Sequence, residues 1–136
     1  MSSPGQYDLV VTSERSFHRH IVLINGQAAR LTHGAFQLLL ELAIAHAHHR
    51  YVSDPTTAYG SAIFRLRKSI DEALRERGAG KLLIETGEGA EYRLRPGLTM
   101  AIDNRCGKLS DTVCQKLVLE LSMHFPIVDC VGSKIL

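Results

Sequence analysis

The chain has 136 residues, 45% of them hydrophobic and 22% charged, which is enough for one domain with a real core plus an appendage and argues against disorder outside the ends. Its net charge of +2, with a pI near 8.5, permits a nucleic-acid partner but excludes a histone-like, purely electrostatic binder. The opening MSSPGQYDLV carries no leader pattern, no apolar run approaches a membrane span, and Cys106, Cys114 and Cys130 form no CxxC pair, so a reduced, cytoplasmic chain with no membrane partner is expected.

Tyr7 to Val11 is β-prone, and Phe17 to Ile24 (FHRHIVLI) is rich in β-branched residues. Asn25-Gly26 follows, the pair that most readily supplies the positive φ angles of a tight hairpin, so VLI-NG-QAARL reads as two antiparallel strands. His18 and His20 would share one face of the first, exposed, with no further ligands to complete a metal site. Thr32 is the expected N-cap of a helix from Gly34 to about His48. Phe36, Leu39, Leu40, Ala43 and Ala47 fall on one side of it, and Leu38, Leu42 and Ala45 nearly complete the circle, which predicts a central buried helix. His46, His48 and His49 end it and suit the negative helix terminus; His46 and His49 stand three apart but lack a neighbouring Cys or acidic cluster, so neither metal nor cofactor is expected.

Tyr51 to Ser53 makes a short extended piece, and Asp54-Pro55 suits a helix start. From Thr57 to Leu74, Tyr59, Ile63, Leu66, Ile70 and Leu74 recur at steps of three and four, one stripe of a helix. Ser61, Phe64, Arg65 and Lys68 then lie outward, a basic face holding one aromatic. Such a face reads nucleic acid, or it sits in water with its cations paired to Asp71 and Glu72 at helical spacings. Gly60 inside this helix costs about 1 kcal/mol relative to Ala. Gly78-Ala79-Gly80 is a flexible stop, Lys81 to Glu85 a strand, Thr86 to Ala90 a turn and Glu91 to Arg95 the returning strand, ended by Pro96-Gly97. Leu98 to Asp103 suggests one more strand. Ser110 would cap a helix from Asp111 to Phe125 whose stripe is Val113, Cys114, Leu117, Val118, Leu121 and Phe125, stopped by Pro126. That stripe must be covered, either by the helix 57–74 or by a second copy of the chain. Cys114 is most simply a small core residue; no Cys/His pairing with His124 and no glycine-rich phosphate loop points to an enzyme.

Three motifs in register, Leu31-Thr32-x-x-x-Phe36, Ile63-x-Arg65-Leu66-Arg67-Lys68 and Ile84-x-Thr86-x-x-Gly89-x-x-Tyr92-Arg93-Leu94, resemble the OmpR/PhoB-type winged-helix DNA-binding domain of bacterial response regulators over roughly Phe17 to Arg95. The resemblance implies an α+β, winged-helix-like fold: an N-terminal antiparallel sheet, a helical core and a C-terminal β-hairpin wing in 1–97, followed by a strand-helix extension in 98–136. It places Ser61, Ala62, Arg65 and Lys68 on or near the DNA face, Arg67 on its flank, the turn from Gly87 to Gly89 at the wing tip and Arg93 in the wing. The chain also departs from the family: Ala35 stands where the family usually has Glu, which removes a capping-box partner for Thr32. Only five residues separate Ser53 from Tyr59, where the family fits a further helix, and the hairpin carries Glu85, Glu88 and Glu91. Two functions follow: a transcription regulator binding duplex DNA through the helix 57–74 and the wing, or a scaffold that has lost DNA binding and serves as a homodimer or protein-interaction module through Phe64.

Overall fold

Asn25 (φ 51°) and Gly26 (φ 79°) both occupy the left-handed region, as a two-residue hairpin turn demands. They reverse the chain between β2 (Arg19–Ile24) and β3 (Gln27–Leu31), setting Ile24 opposite Gln27. The computed structural model describes residues 7–53, 57–89, 91–105 and 111–129, and of 57–60 the backbone alone. β1 (Leu9–Ser16) lies antiparallel on the other edge of β2. The strand expected from Phe17 begins instead at Arg19, because Phe17 (φ 51°) and His18 (φ 67°) form the reversal between β1 and β2. His18 is thereby exposed on the turn, whereas His20, expected on the surface, is buried.

The far edge of β1 takes a strand from the other end of the chain. β7 (Met100–Asp103) pairs with it in parallel, Leu9 opposite Met100, and β8 (Ile127–Val128) pairs in parallel with β7, giving the sheet order β3-β2-β1-β7-β8. Asp8 fastens this junction. Its Oδ2 accepts hydrogen bonds from Thr99 N–H (2.9 Å) and Thr99 Oγ1 (3.1 Å) and an ion pair from Arg95 Nη2 (3.1 Å). Partial burial pushes the carboxyl up, but the Thr99 bonds and the Arg95 cation outweigh it and hold it below the ordinary aspartate value of 3.8. A depressed folded pKa contributes stability that is complete above the unfolded value and is lost as pH falls through the folded one. Asp8→Asn should therefore cost about 1 kcal/mol at neutral pH. In urea titrations the gap between the two proteins should close as pH drops below about 4; a gap independent of pH would refute this account.

Thr32 Oγ1 accepts the Ala35 N–H (3.3 Å) and so caps α1 (His33–Ala47), as its sequence predicts. Phe36, Leu39, Leu40, Leu42 and Ala43 are fully buried; this nearly all-apolar helix is covered from several sides and forms the centre of the core. β4 (Val52–Ser53) leads to α2 (Thr57–Leu74), and the Asp54 and Pro55 start signals lie outside the described residues. Ile63, Leu66 and Ile70 are buried where α2 packs on β3 and α1. Next come α3 (Ala79–Leu83), β5 (Ile84–Thr86) and β6 (Glu91–Leu94), and β6 pairs with both β5 and β4 in a second, three-stranded sheet. The Gly78 to Gly80 stop and the start of the expected strand 81–85 are thus a turn and a short helix.

Asp111 is the N-cap of α4 (Thr112–Leu121), which ends four residues before the expected Phe125; Ser110 lies outside the described residues. Cys114, Val118 and Leu121 are buried, while Val113 faces solvent. α4 packs on α1 and not, as its stripe suggests, principally on α2. The apolar side of α2 is already taken by β3, and α1 has a second apolar side to cover. Burial pushes the Cys114 thiol up to about 12. No helix among the described residues is long and apolar enough to cross a membrane.

Candidate nucleic-acid interface

The outward side of α2 is set by its period. With Ile63, Leu66 and Ile70 turned inward, Ser61, Arg65 and Lys68 are exposed, and so is 67% of Phe64. Ala62, expected on this face, is half-buried and packs against the core, because the step to it from Ile63 carries it to the helix edge. Arg67 is half-buried too. Its Nε (3.2 Å) and Nη2 (2.6 Å) donate to the Ile84 carbonyl and Nη2 also donates to Thr86 Oγ1 (2.8 Å), with the guanidinium 5.6 Å from the Tyr92 ring centre. Burial lowers the pKa of this group from the ordinary arginine value. Arg67 is thus a strap that holds β5 to α2, and its charge is spent on the protein's own carbonyl.

Asp71 is spent in the same way. Its Oδ1 accepts the Gly80 N–H (2.6 Å) and its Oδ2 the Gly78 N–H (3.2 Å), satisfying amides at the start of α3 that have no side-chain cap of their own. Asp71 and Glu72 therefore do not pair with Arg65 or Lys68 as helical spacing suggests. Folding α3 back onto α2 also needs a glycine, since a Cβ on Gly80 would come within 3.0 Å of the Arg67 backbone.

Between α2, α3 and β6 lies an open groove of about 700 Å³ lined by Phe64, Lys68, Arg77, Lys81 and Tyr92 around the engaged Arg67 and Asp71. Lys68, Arg77 and Lys81 are exposed and make no ion pair among the described residues. Across 61–83 the exposed cations are Arg65, Lys68, Arg75, Arg77 and Lys81 against the exposed carboxylates Glu72 and Glu76, so the exposed charge of this segment is net positive. Arg77 and Lys81 were not legible as site residues, because Arg77 read as the end of a helix at a flexible stop and Lys81 as the start of a strand, with nothing local to fold them back beside α2.

The hairpin is different. Arg93 bonds Glu85 (3.1 Å) and lies 4.6 Å over the Tyr51 ring, so it too is engaged. Gly87 is half-buried against Tyr51, its N–H donating to the Glu91 carbonyl (2.8 Å). Gly89 (φ 66°) is exposed at the tip beside exposed Glu88. Of the predicted contact residues, Ser61, Arg65, Lys68 and Gly89 are available to a ligand, and Ala62, Arg67, Gly87 and Arg93 are committed to the fold. No protein-family model matches the chain, and no curated protein or solved structure matches it either.

Proposed function

We propose that the protein is a DNA-binding regulator of winged-helix type that grips duplex DNA with α2 and the groove beside it. The observation that carries this reading is the set of exposed cations with no ion-pair partner among the described residues, Arg65 and Lys68 on α2 with Arg77 and Lys81 across the groove, set on two helices joined through Asp71. The order α1, β4, α2, then a hairpin joined to β4 supports the winged-helix arrangement. Three residues between β4 and α2 leave no room for a bracing helix; α3, held by Asp71, braces α2 from its other end. Arg65 and Lys68 serve as backbone contacts, with Ser61 nearer the bases. Glu88 makes the wing tip a poor phosphate neighbour. The same acidic tip, together with exposed Phe64 at the groove rim, favours the second reading, a protein-interaction module.

Fluorescence anisotropy with a random duplex at two salt concentrations separates them. The wild type should bind in the micromolar range or tighter. Arg65→Ala/Lys68→Ala should weaken it at least tenfold at low salt and reduce the salt slope by about 2, one unit for each lost phosphate contact. A folded protein that fails to bind at low salt refutes the DNA reading and leaves the Phe64 surface as the one to pursue.

A further inference from the structure

Where the start of α1 meets the start of α4, three side chains come together that line no part of the basic groove and that the DNA reading does not use. His33 is the first residue of α1, Asp111 the N-cap of α4 and Cys114 the third residue of α4. Asp111 Oδ2 accepts the Cys114 N–H (2.8 Å), while its Oδ1 lies 3.9 Å from His33 Nε2. The donor atoms of His33, Asp111 and Cys114 all fall within 4.8 Å of one another.

We propose that His33 Nε2, Asp111 Oδ1 and Cys114 Sγ form a three-ligand site for a divalent transition metal, zinc by the character of its donors, with the fourth position open to solvent. Imidazole, carboxylate and thiolate together are a zinc set; calcium and magnesium take oxygen alone. Tetrahedral zinc, with ligands at about 2.0–2.3 Å, holds its donors roughly 3.3–3.7 Å apart. The cluster therefore needs only a modest closure, which half-exposed His33 supplies by turning its ring. On binding, the Cys114 S–H bond breaks, an S–Zn bond forms and the proton leaves to solvent.

A second histidine supports the site from behind. His33 Nδ1 lies 3.4 Å from His20 Nε2, and His20 is 4% exposed, with its ring stacked on Phe36 at 4.2 Å. Among the described residues its Nδ1 has no hydrogen-bond partner, a cost in stability that the apolar contact with Phe36 does not relieve at that nitrogen. Its use is at the other nitrogen: metal on His33 Nε2 leaves a hydrogen on Nδ1, and His20 Nε2 accepts it, fixing the ring as outer-shell partners of metal-bound histidines do. The metal would clamp the first turn of α4 to the first residue of α1 and so hold the C-terminal segment on the core.

The test is cobalt(II) titration of the full chain after treatment with a chelator, followed by zinc. The expected result is one equivalent of tetrahedral cobalt with a thiolate-to-cobalt charge-transfer band, displaced by zinc, and a melting temperature higher in zinc than in chelator. His33→Ala, at an exposed position that leaves folding intact, and Cys114→Ser should each weaken metal binding roughly tenfold or more and remove the zinc-dependent melting shift. The proposal is overturned if no charge-transfer band forms, or if the band survives His33→Ala and disappears instead with Cys106→Ser or Cys130→Ser.

Discussion

Gly80→Val is expected to destabilise the protein by about 3 kcal/mol, the upper end of the overpacking range. A Cβ at this position meets the backbone of Arg67, its carbonyl oxygen, Cα and carbonyl carbon, within 3.0 Å. Backbone inside a helix cannot yield as a flexible side chain would, so α3 must move away. Moving it breaks the bond from Gly80 N–H to Asp71 Oδ1 and lifts buried Ala79 and Leu83 from the core. The melting temperature should fall by roughly 10 °C. Asp71→Ala tests the same joint from the other side: it leaves the Gly78 and Gly80 amides without their acceptor and should cost about 1–3 kcal/mol. The two changes release one contact, so the double variant should be markedly less damaged than the sum of the singles. Hydrogen exchange should locate the loss at residues 78–83, with α1 keeping its protection. A Gly80→Val protein as stable as wild type would mean that α3 does not dock against Arg67.

The residues of this joint mark where sequence reading stops. The stripe Ile63, Leu66, Ile70 and the outward Phe64, Arg65 and Lys68 were legible because helical period alone decides them. Asn25-Gly26 and Thr32 were legible because their chemistry is local. Lys81 to Glu85 was not: a short apolar run suits strand or helix equally, and the carboxylate that selects the helical turn sits on Asp71, seven and nine residues before the amides it holds. Phe17-His18 gave no turn signal because neither is a residue that favours positive φ as glycine does. The pairing of β7 with β1, and the meeting of His33 with Asp111 and Cys114, join distant parts of the chain, and no local period records such contacts. Arg67 shows the remaining limit. Composition identifies a cation on a basic helix, but only the position of the Ile84 carbonyl reveals that the cation is engaged.

Phe36→Ala should cost about 4 kcal/mol, a large share of the 5–15 kcal/mol that holds a domain of this size. Phe36 is fully buried one turn into α1, among the residues that join that helix to the five-stranded sheet. Its ring lies nearly parallel to that of His20, 3° between planes and 4.2 Å between centres, so truncation removes apolar contact from both the core and a buried imidazole. Collapse cannot refill the space easily, because one wall is β-sheet and another is α1 itself. Phe36→Leu keeps most of the apolar volume but loses the flat contact with His20, and should cost about 1.5 kcal/mol. Denaturant titrations read by far- and near-ultraviolet dichroism should show both variants unfolding in one step, with loss of exchange protection throughout α1 and the sheet. This separates Phe36 from Gly80, whose replacement should open a single segment. If Phe36→Ala cost less than about 1 kcal/mol, the centre of the core would have to lie elsewhere.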